Sequence, residues 1–153
     1  MIVRKAKIEE IETLLEFEQG IVIAERPMNP TLKDGEIHYY DLAKLVESDL
    51  SEVFVAELDG EVIASGYVLE KPAKDYEKHE KYAYLGFMFV KPEHRGKGVN
   101  QLILDALLGW AKKRNLTEIR LDVYSENATA IRAYKKAGFV PHLLEMRLEI
   151  ENE

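Results

Sequence analysis

Residues 82–90 restrict the fold of this chain more than any other segment, because they are apolar at nearly every position. Successive side chains of a β-strand point to opposite faces of the sheet. A strand with apolar residues at both odd and even positions is therefore one that is covered on both sides. The segment predicts a central sheet with helices packed on both of its faces.

The periodicity of apolar residues predicts the other elements. The predicted strands are 2–6, 53–58, 61–70, 82–90 and 117–124, with one or two more in 139–150, and the predicted helices are 8–24, 41–50, 98–114 and 127–137. Asp59-Gly60 is typical of the tight turn in a β-hairpin, Asp41 is a predicted helix N-cap, and Gly138 suits a helix C-terminus. This order of elements predicts an α/β protein with a mixed sheet.

The composition is that of one globular domain, with 46% hydrophobic and 32% charged residues among 153. No internal repeat, low-complexity segment or long linker divides the sequence. We therefore expect a single domain over residues 1–153.

The charge and residue usage exclude several classes of function. A formal net charge of -7 argues against nucleic-acid binding, which needs clustered Lys and Arg, and is compatible with a cationic substrate. The chain has no cysteine, so it has no disulfide and no thiol nucleophile. The four histidines are scattered and no H-E-x-x-H motif occurs, so we expect no metal site.

Two further features of the sequence indicate the compartment in which the protein is expected. No apolar run approaches the roughly 18 residues that a membrane span requires. The first residues lead into a charged helix and do not resemble a signal peptide. We expect a cytoplasmic protein that does not associate with membranes.

The turn at 91–100 carries the clearest functional pattern. Gly96 and Gly98 allow backbone N–H groups to approach an anion closely, and the following helix contributes the positive end of its dipole. Arg95 and Lys97 add positive charge in an otherwise acidic chain. The arrangement indicates a site for a phosphorylated cofactor. The alternative is a solvated turn that needs glycine only for its backbone shape.

Two segments resemble motifs of one known family. Residues 95–100, Arg-Gly-Lys-Gly-Val-Asn, resemble the acetyl-CoA-binding motif Q/R-x-x-G-x-G/A of the GNAT (Gcn5-related) N-acetyltransferase superfamily. Residues 127–139 are similar to that family's N-x-x-A-x-x-x-Y-x-x-x-G-F signature. Asn100 stands where the motif has a small residue. The specific resemblance covers roughly residues 82–140, and the first half agrees in element order only.

The resemblance implies a fold and a cosubstrate. The family's fold is a mixed, mostly antiparallel sheet of six to seven strands with about four helices on both faces. The cosubstrate is acetyl-CoA, which would bind to the strand before the turn, the turn and the helix beyond it. The implied cofactor-binding residues are Met88, Phe89, Val90, Arg95, Gly96, Lys97, Gly98, Val99, Asn100 and Asn127. Asn127 has a helix-capping alternative, and both roles can coexist.

The resemblance also implies catalytic residues. Tyr134 corresponds to the tyrosine that donates a proton to the departing thiolate of coenzyme A, and its alternative is packing in a helix. Asp122 resembles in position the general base of some family members, and its alternative is a solvated polar face. Glu80 is a second candidate base. Many members of the family deprotonate the amine through ordered water instead.

Residues 25–40 correspond to the family's acceptor side. Arg26 is a candidate for holding a substrate carboxylate, and Glu25, Tyr39 or Tyr40 for holding an ammonium group. The alternative is a loop stiffened by Pro27 and Pro30, with solvated charges. The expected partner is a small-molecule or peptide amine, and a homodimer is possible because dimers are frequent in the family.

The sequence therefore predicts an N-acetyltransferase that moves acetyl from acetyl-CoA to a primary amine by direct attack. The alternative is a module that binds acyl-CoA as a sensor without transferring the acyl group.

Overall fold

The computed structural model describes residues 1–152 and divides the chain into two compact units, of which the first is Met1–Asp122 and the second begins at Val123. The strands are β1 (Ile2–Lys5), β2 (Ser51–Leu58), β3 (Glu61–Pro72), β4 (Lys81–Val90) and β5 (Ile119–Leu121). The α-helices are α1 (Ile11–Glu25), α2 (Leu42–Glu47), α3 (Val99–Lys113) and α4 (Ala128–Lys136), and short 3₁₀ helices cover Ile8–Glu10, Arg26–Met28 and Pro92–His94. Within residues 1–152, no helix combines the length and the apolar character needed to cross a bilayer.

The first unit contains a sheet in the order β1-β2-β3-β4-β5. The pairs from β1 to β4 are antiparallel, and β4 pairs with β5 in parallel. The predicted α/β class with a mixed, mostly antiparallel sheet is confirmed. The sheet has five strands among the described residues, where six to seven were expected.

The missing strands lie at the end of the chain. Residues 139–150 were predicted to form one or two strands, and this was wrong, because they have no regular structure in the described chain. Alternation of apolar and polar residues gives a strand its faces, but its N–H and C=O groups also need a neighbouring strand. The sheet contains no strand after Leu121 among the described residues. For the same reason β5 spans three residues and not the predicted 117–124.

Helix α1 covers one face of the sheet. Its residues Leu14, Phe17 and Ile21 are buried in a cluster that also holds Val55 of β2 and Phe87 of β4. The spacing of three and four residues places these side chains on one side of the helix. Helix α1 therefore sits directly over the end of β4 that leads into the glycine turn.

Helix α3 packs closely on the sheet at Gly66 in β3. A Cβ atom at Gly66 would lie 2.6 Å from Ile103 Cγ2 of α3 and 2.8 Å from the Met88 sulfur. Glycine is required here because any side chain would separate the helix from the sheet. The start of α3 is thereby held close to the end of β4.

Strand β4 contains a bulge immediately after Gly86. Gly86 pairs with Tyr67 and Phe89 pairs with Ser65, so Phe87 and Met88 stand opposite the single residue between Tyr67 and Ser65 on β3. Phe87 has a φ of +57°, which a non-glycine residue rarely adopts. Its ring is buried, and its carbonyl accepts a hydrogen bond of 3.0 Å from the Ser65 hydroxyl. Gly86 therefore marks the start of a bulge in β4.

We predict that Gly86→Ala destabilises the protein by about 1–3 kcal/mol, because the added Cβ would lie 2.6 Å from the Tyr67 ring. Chemical denaturation measures the change. The matched control is Gly109→Ala in α3, where a Cβ meets no atom within 4 Å and helix propensity favours alanine by about 0.5–1 kcal/mol. Equal effects of the two substitutions would contradict the packing role of Gly86.

Candidate active site

The glycine turn has the backbone shape that the sequence predicts. Gly96 and Gly98 adopt φ values of +76° and +81°, and nothing lies within 4 Å of a Cβ built on either residue. The first hydrogen bond at the start of α3 runs from Leu102 N to Gly98 O, at 3.3 Å. The N–H groups of Val99 and Asn100 therefore precede the helical ladder and point out of the helix N-terminus. This is a ready-made anion site with open space beside it.

Basic side chains surround the turn. Arg95 donates a hydrogen bond from Nε to the Val90 carbonyl, at 2.9 Å, and its guanidinium lies 5.7 Å from the centroid of the Phe89 ring. Lys91 forms an ion pair with Glu61, and Lys97 is exposed. Arg95 is thus held against the last residues of β4, while Lys97 places a positive charge on the solvent-exposed side of the turn.

The edge of β4 that leads to this turn is open. The parallel ladder with β5 ends at the pair Leu85 and Leu121, one residue before Gly86. Met88, Phe89 and Val90 continue β4 without a β5 partner on that edge. Backbone N–H and C=O groups of an unpaired edge can bind an extended ligand as an added strand. The bulge, the open edge and the anion site follow one another along twelve residues.

Asp122 is held beside the point where β4 and β5 separate. Its Oδ2 accepts a hydrogen bond of 2.7 Å from the Tyr84 hydroxyl, and the carboxylate is exposed. Glu80 precedes β4 at the opposite end of the strand, roughly 25 Å from Met88 at 3.3 Å per residue. Of the two carboxylates that the sequence offers as a base, only Asp122 lies near the bulge.

A row of aromatic rings runs beside the bulge. The Tyr40 ring lies edge-on to Tyr67 and to Phe87, with centroids 5.5 Å apart in both pairs, and Tyr67 lies 6.4 Å from Tyr84. Burial raises the pKa of Tyr67 to about 12, and Asp122 adds to the effect. The pKa values of Tyr40 and Tyr84 are also raised, mainly by burial. All three phenols are neutral near pH 7.

Glu18 fixes the loop that carries Tyr39 and Tyr40. Its side chain is fully buried. One carboxylate oxygen lies 2.7 Å from His38 Nδ1, and the other accepts hydrogen bonds of 2.9 Å from the N–H groups of Tyr39 and Tyr40. The adjacent Gln19 donates a hydrogen bond to the Ile37 carbonyl at 2.8 Å. Side chains of helix α1 thus hold this loop by its backbone groups.

Glu18 is not among the residues predicted from the sequence, although its position carries a signal. Glu18 lies four residues after Leu14 and three before Ile21, which places it on the buried stripe of α1. A carboxylate on such a stripe must be hydrogen-bonded, because burying an unpaired charge is costly. Its position alone therefore pointed to a polar contact with another segment.

Arg26 and Glu25 lie where α1 ends. Arg26 donates hydrogen bonds to the Lys33 carbonyl, at 2.7 Å, and to the Gly35 carbonyl. The guanidinium therefore stabilises the loop after α1 by binding two of its carbonyl groups. Burial raises the pKa of Glu25, and a hydrogen bond with Tyr39 opposes that shift.

The second unit shows why the signature at 127–139 has its spacing. The Asn127 side-chain oxygen caps α4 by accepting a hydrogen bond from Ala130 N at 3.2 Å. Phe139 N donates to Tyr134 O, at 2.9 Å, and Gly138 N donates to Lys135 O, at 3.0 Å, with Gly138 at a φ of +106°. This pair of bonds is a Schellman motif.

The Tyr134 ring completes that motif. It packs edge-on against Phe139 with centroids 5.7 Å apart, the hydrophobic contact that accompanies a Schellman ending. Burial raises the pKa of Tyr134, so its hydroxyl keeps its proton at neutral pH. The ring has a structural role, and the hydroxyl retains a proton that it can donate.

Comparison with known proteins identifies the family. The family model described as the acetyltransferase (GNAT) family matches residues 15–139, which is more than half of the chain. The chain belongs to the GNAT acetyltransferase family.

Relatives and solved structures agree with this GNAT assignment. Streptothricin acetyltransferase of Streptomyces lavendulae is 30% identical over 125 residues, which cover 78% of this chain and 63% of that protein. The chain spans less than two thirds of the length of the first curated relatives that it matches.

Two crystal structures share the fold. A point mutant of the BH1408 protein of Bacillus halodurans aligns with a TM-score of 0.86 at 20% identity, covering 99% of this chain and 100% of that one. A predicted acetyltransferase of Clostridium acetobutylicum, solved with acetyl-CoA, aligns with a TM-score of 0.72 at 24% identity, covering 97% and 95%. The described residues of this GNAT chain contain no cluster of side chains that could hold a metal ion.

We predict that Glu18→Gln destabilises the protein by about 2 kcal/mol, because the Tyr39 and Tyr40 amides lose a charged acceptor. Denaturant unfolding measures this, with the exposed Glu16→Gln on the same helix as a control that changes stability by less than about 0.5 kcal/mol.

The pH dependence of the Glu18→Gln effect tests the same contact. The hydrogen bond with Glu18 raises the pKa of His38, and Glu36 lies 3.5 Å from the other ring nitrogen. A histidine whose pKa is raised by folding contributes its full stabilisation when the pH is below its pKa in the unfolded chain, which is about 6.5. That stabilisation is lost as the pH rises through the higher pKa of the folded protein. The effect of Glu18→Gln must therefore shrink with rising pH, and an effect independent of pH would contradict the pairing.

Proposed function

We propose that this GNAT chain transfers the acetyl group of acetyl-CoA to a primary amine by direct attack. The observation that carries the proposal is the continuous path along β4, where an open strand edge leads through a bulge into an anion-binding turn. A thioester on a long pantetheine arm, ending in a pyrophosphate, has the shape and the charge that this path accepts.

The cosubstrate is proposed to bind along that path. The N–H groups at Gly96, Gly98 and Val99 bind the pyrophosphate, assisted by the charges of Arg95 and Lys97. The Asn100 side chain, at the position where the family motif has a small residue, offers an amide to the same phosphates. Met88, Phe89 and Val90 bind the pantetheine arm through their backbone groups, and Asn127 offers its side-chain amide nitrogen to it while its oxygen caps α4.

The chemistry needs an oxyanion site, a base and an acid. Backbone N–H groups at the bulge stabilise the negative charge that develops on the thioester oxygen. The neutral amine attacks the carbonyl carbon, a C–N bond forms and the C–S bond breaks. Tyr134 donates its proton to the departing thiolate, a role carried over from the family resemblance. No covalent enzyme intermediate is needed for this direct attack, and the chain has no cysteine that could form one.

Asp122 is the proposed acceptor of the proton released by the amine. Its hydrogen bond to Tyr84 fixes the carboxylate beside the gap between β4 and β5. The carboxylate can take the proton from the amine directly or through an ordered water molecule. Because the carboxylate is exposed, it can then release the proton to solvent.

The acceptor is proposed to be a cationic amine. Tyr39 and Tyr40 present aromatic rings next to the bulge, and Glu25 lies at the same loop. Aromatic faces and carboxylates both attract an ammonium group. We propose that Arg26 supports this site by bracing the loop and offers its outer face to a substrate carboxylate. The relative named streptothricin acetyltransferase supports an amine acceptor of this kind.

We predict that Gly98→Trp weakens the binding of acetyl-CoA. The indole would project into the open space at the anion site, and we expect acetyl-CoA affinity to fall at least tenfold, or about 1.4 kcal/mol, in calorimetry. Gly60→Trp is the matched control, because Gly60 has the same left-handed conformation and open surroundings but lies in the β2–β3 turn. Absence of binding to well-folded wild type, or an equal loss in both variants, would contradict the cofactor site.

We predict that Tyr134→Phe lowers the turnover of the enzyme. The ring contact with Phe139 is kept and the proton donor is removed, so turnover should fall on the order of a hundredfold or more while acetyl-CoA affinity changes little. Free-thiol release with a panel of amines measures turnover. Unchanged turnover would remove Tyr134 from the mechanism. Binding of acetyl-CoA by wild type without thiol release from any amine would favour an acyl-CoA-binding module instead.

A further inference from the structure

Four tyrosine rings of the first unit form a continuous row beside the bulge of β4. The Tyr39 ring lies edge-on to the Tyr40 ring, with centroids 5.7 Å apart. The row continues from Tyr40 to Tyr67 at 5.5 Å and from Tyr67 to Tyr84 at 6.4 Å. Tyr67 is nearly buried, and the other three residues are half-buried. This tyrosine row is therefore a partly open strip of aromatic surface that runs from the loop after α1 to strand β4.

A carboxylate stands at each end of the tyrosine row. At one end, the half-buried Glu25 is hydrogen-bonded to Tyr39. At the other end, Asp122 accepts a hydrogen bond of 2.7 Å from the Tyr84 hydroxyl. The two carboxylates are thus separated by three steps of 5.5–6.4 Å between ring centroids.

Neither of these carboxylates has a cationic partner in the described chain. No ion pair among residues 1–152 includes Glu25 or Asp122. Burial raises the pKa of Glu25, and no neighbouring cation opposes that shift. Arg120, two residues before Asp122, is paired with Glu77 and Glu118 instead. A carboxylate that is partly removed from water is stabilised by a cation placed beside it, so each end of the row can accept one.

The tyrosine row already contacts one ammonium group of the protein itself. The Nζ atom of Lys71, on β3, lies 4.1 Å from the centroid of the Tyr84 ring. The negative face of a tyrosine ring attracts an ammonium group at this distance. Lys71 forms no ion pair with Asp122 in residues 1–152, so the carboxylate at this end keeps its capacity for a further cation.

We propose that the acceptor is an elongated amine with at least two cationic groups, namely a linear diamine or polyamine. One amino group lies between Asp122 and the bulge, where it loses a proton and attacks the thioester. A second ammonium group stays at Glu25, and the uncharged chain between them lies along the tyrosine row. The inference rests on the proposed acetyl transfer and adds the class of acceptor to it. An amine with one charge would leave one of the two carboxylates unmatched.

The same arrangement favours a single acetylation of each acceptor molecule. Acetylation converts the reacting amine into an uncharged amide, which removes its attraction to Asp122. The monoacetylated product has one fewer cationic group, so it cannot place a cation at both ends of the row if it began as a diamine. We therefore expect the monoacetylated diamine to accumulate.

The first experiment measures binding without turnover. Calorimetry of the protein, alone and with coenzyme A present, compares linear diamines from putrescine to diaminooctane with monoamines of the same chain length. The best diamine should bind on the order of tenfold more tightly than its monoamine, as expected for a hydrogen-bonded contact with a charged group. In Glu25→Gln, which keeps an acceptor for the Tyr39 hydroxyl, the ratio should fall to near one. No binding of any diamine, no preference over monoamines, or a preference that survives in Glu25→Gln would overturn the proposal.

Glu12→Gln is the matched control for this measurement. It removes the same charge from the same helix, thirteen residues before Glu25. At 1.5 Å per residue the two positions are roughly 20 Å apart, which exceeds the Debye length of about 10 Å at 0.1 M salt. The preference for diamines should persist in Glu12→Gln. An equal loss in both variants would mean that diamines respond to the net charge alone, and it would overturn the site.

The second experiment distinguishes a wrong acceptor class from a failure of acetyl transfer. Free-thiol release with the same amines measures turnover, and mass spectrometry identifies the products. Glu25→Gln should raise the KM for diamines while kcat changes little, because Glu25 binds the acceptor away from the reacting atoms. Equal use of monoamines and diamines would overturn the acceptor class and leave acetyl transfer intact. Diamine binding that requires Glu25, without thiol release from any amine, would support the cation site and contradict the transfer.

Discussion

The extra residue in β4 after Gly86 is the constraint on which the rest of the site depends. It shifts the register between β3 and β4 and places Phe87 at a positive φ, which costs on the order of 1–3 kcal/mol. The conformation persists because the Phe87 ring is buried and the Ser65 hydroxyl binds its carbonyl. Pairing between β4 and β5 stops one residue before this bulge, and the open edge that results leads into the glycine turn.

A second group of contacts connects the loop that carries Tyr39 and Tyr40 to that bulge. The buried Glu18 holds the Tyr39 and Tyr40 backbones, and the Tyr40 ring lies against Phe87. The Glu18 carboxylate is held in place because both of its oxygens have hydrogen-bond partners. Helix α1 therefore fixes the loop that carries Tyr39 and Tyr40 relative to the end of β4 by means of polar contacts at the edge of an apolar core.

Local signals made part of this site predictable. The left-handed glycines, the start of α3, the Asn127 cap and the Gly138 ending depend on residues close in sequence. Contacts between distant segments were not predictable in this way. The bonds between Tyr84 and Asp122, between Arg26 and the loop carbonyls, and between Glu18 and the Tyr39 amide join segments whose approach depends on packing.

The sequence by itself determined the four helices, the inner strand β4, the glycine turn and the α/β class, because each follows from periodicity or from backbone freedom over a few residues. Tertiary structure decided which strand-like segments became strands. Apolar and polar residues alternate through 117–124 and 144–150, yet only Ile119–Leu121 form a strand in the described chain. A strand exists only where a neighbour supplies its hydrogen bonds, and the chain's own alternation carries no information about whether that neighbour is present.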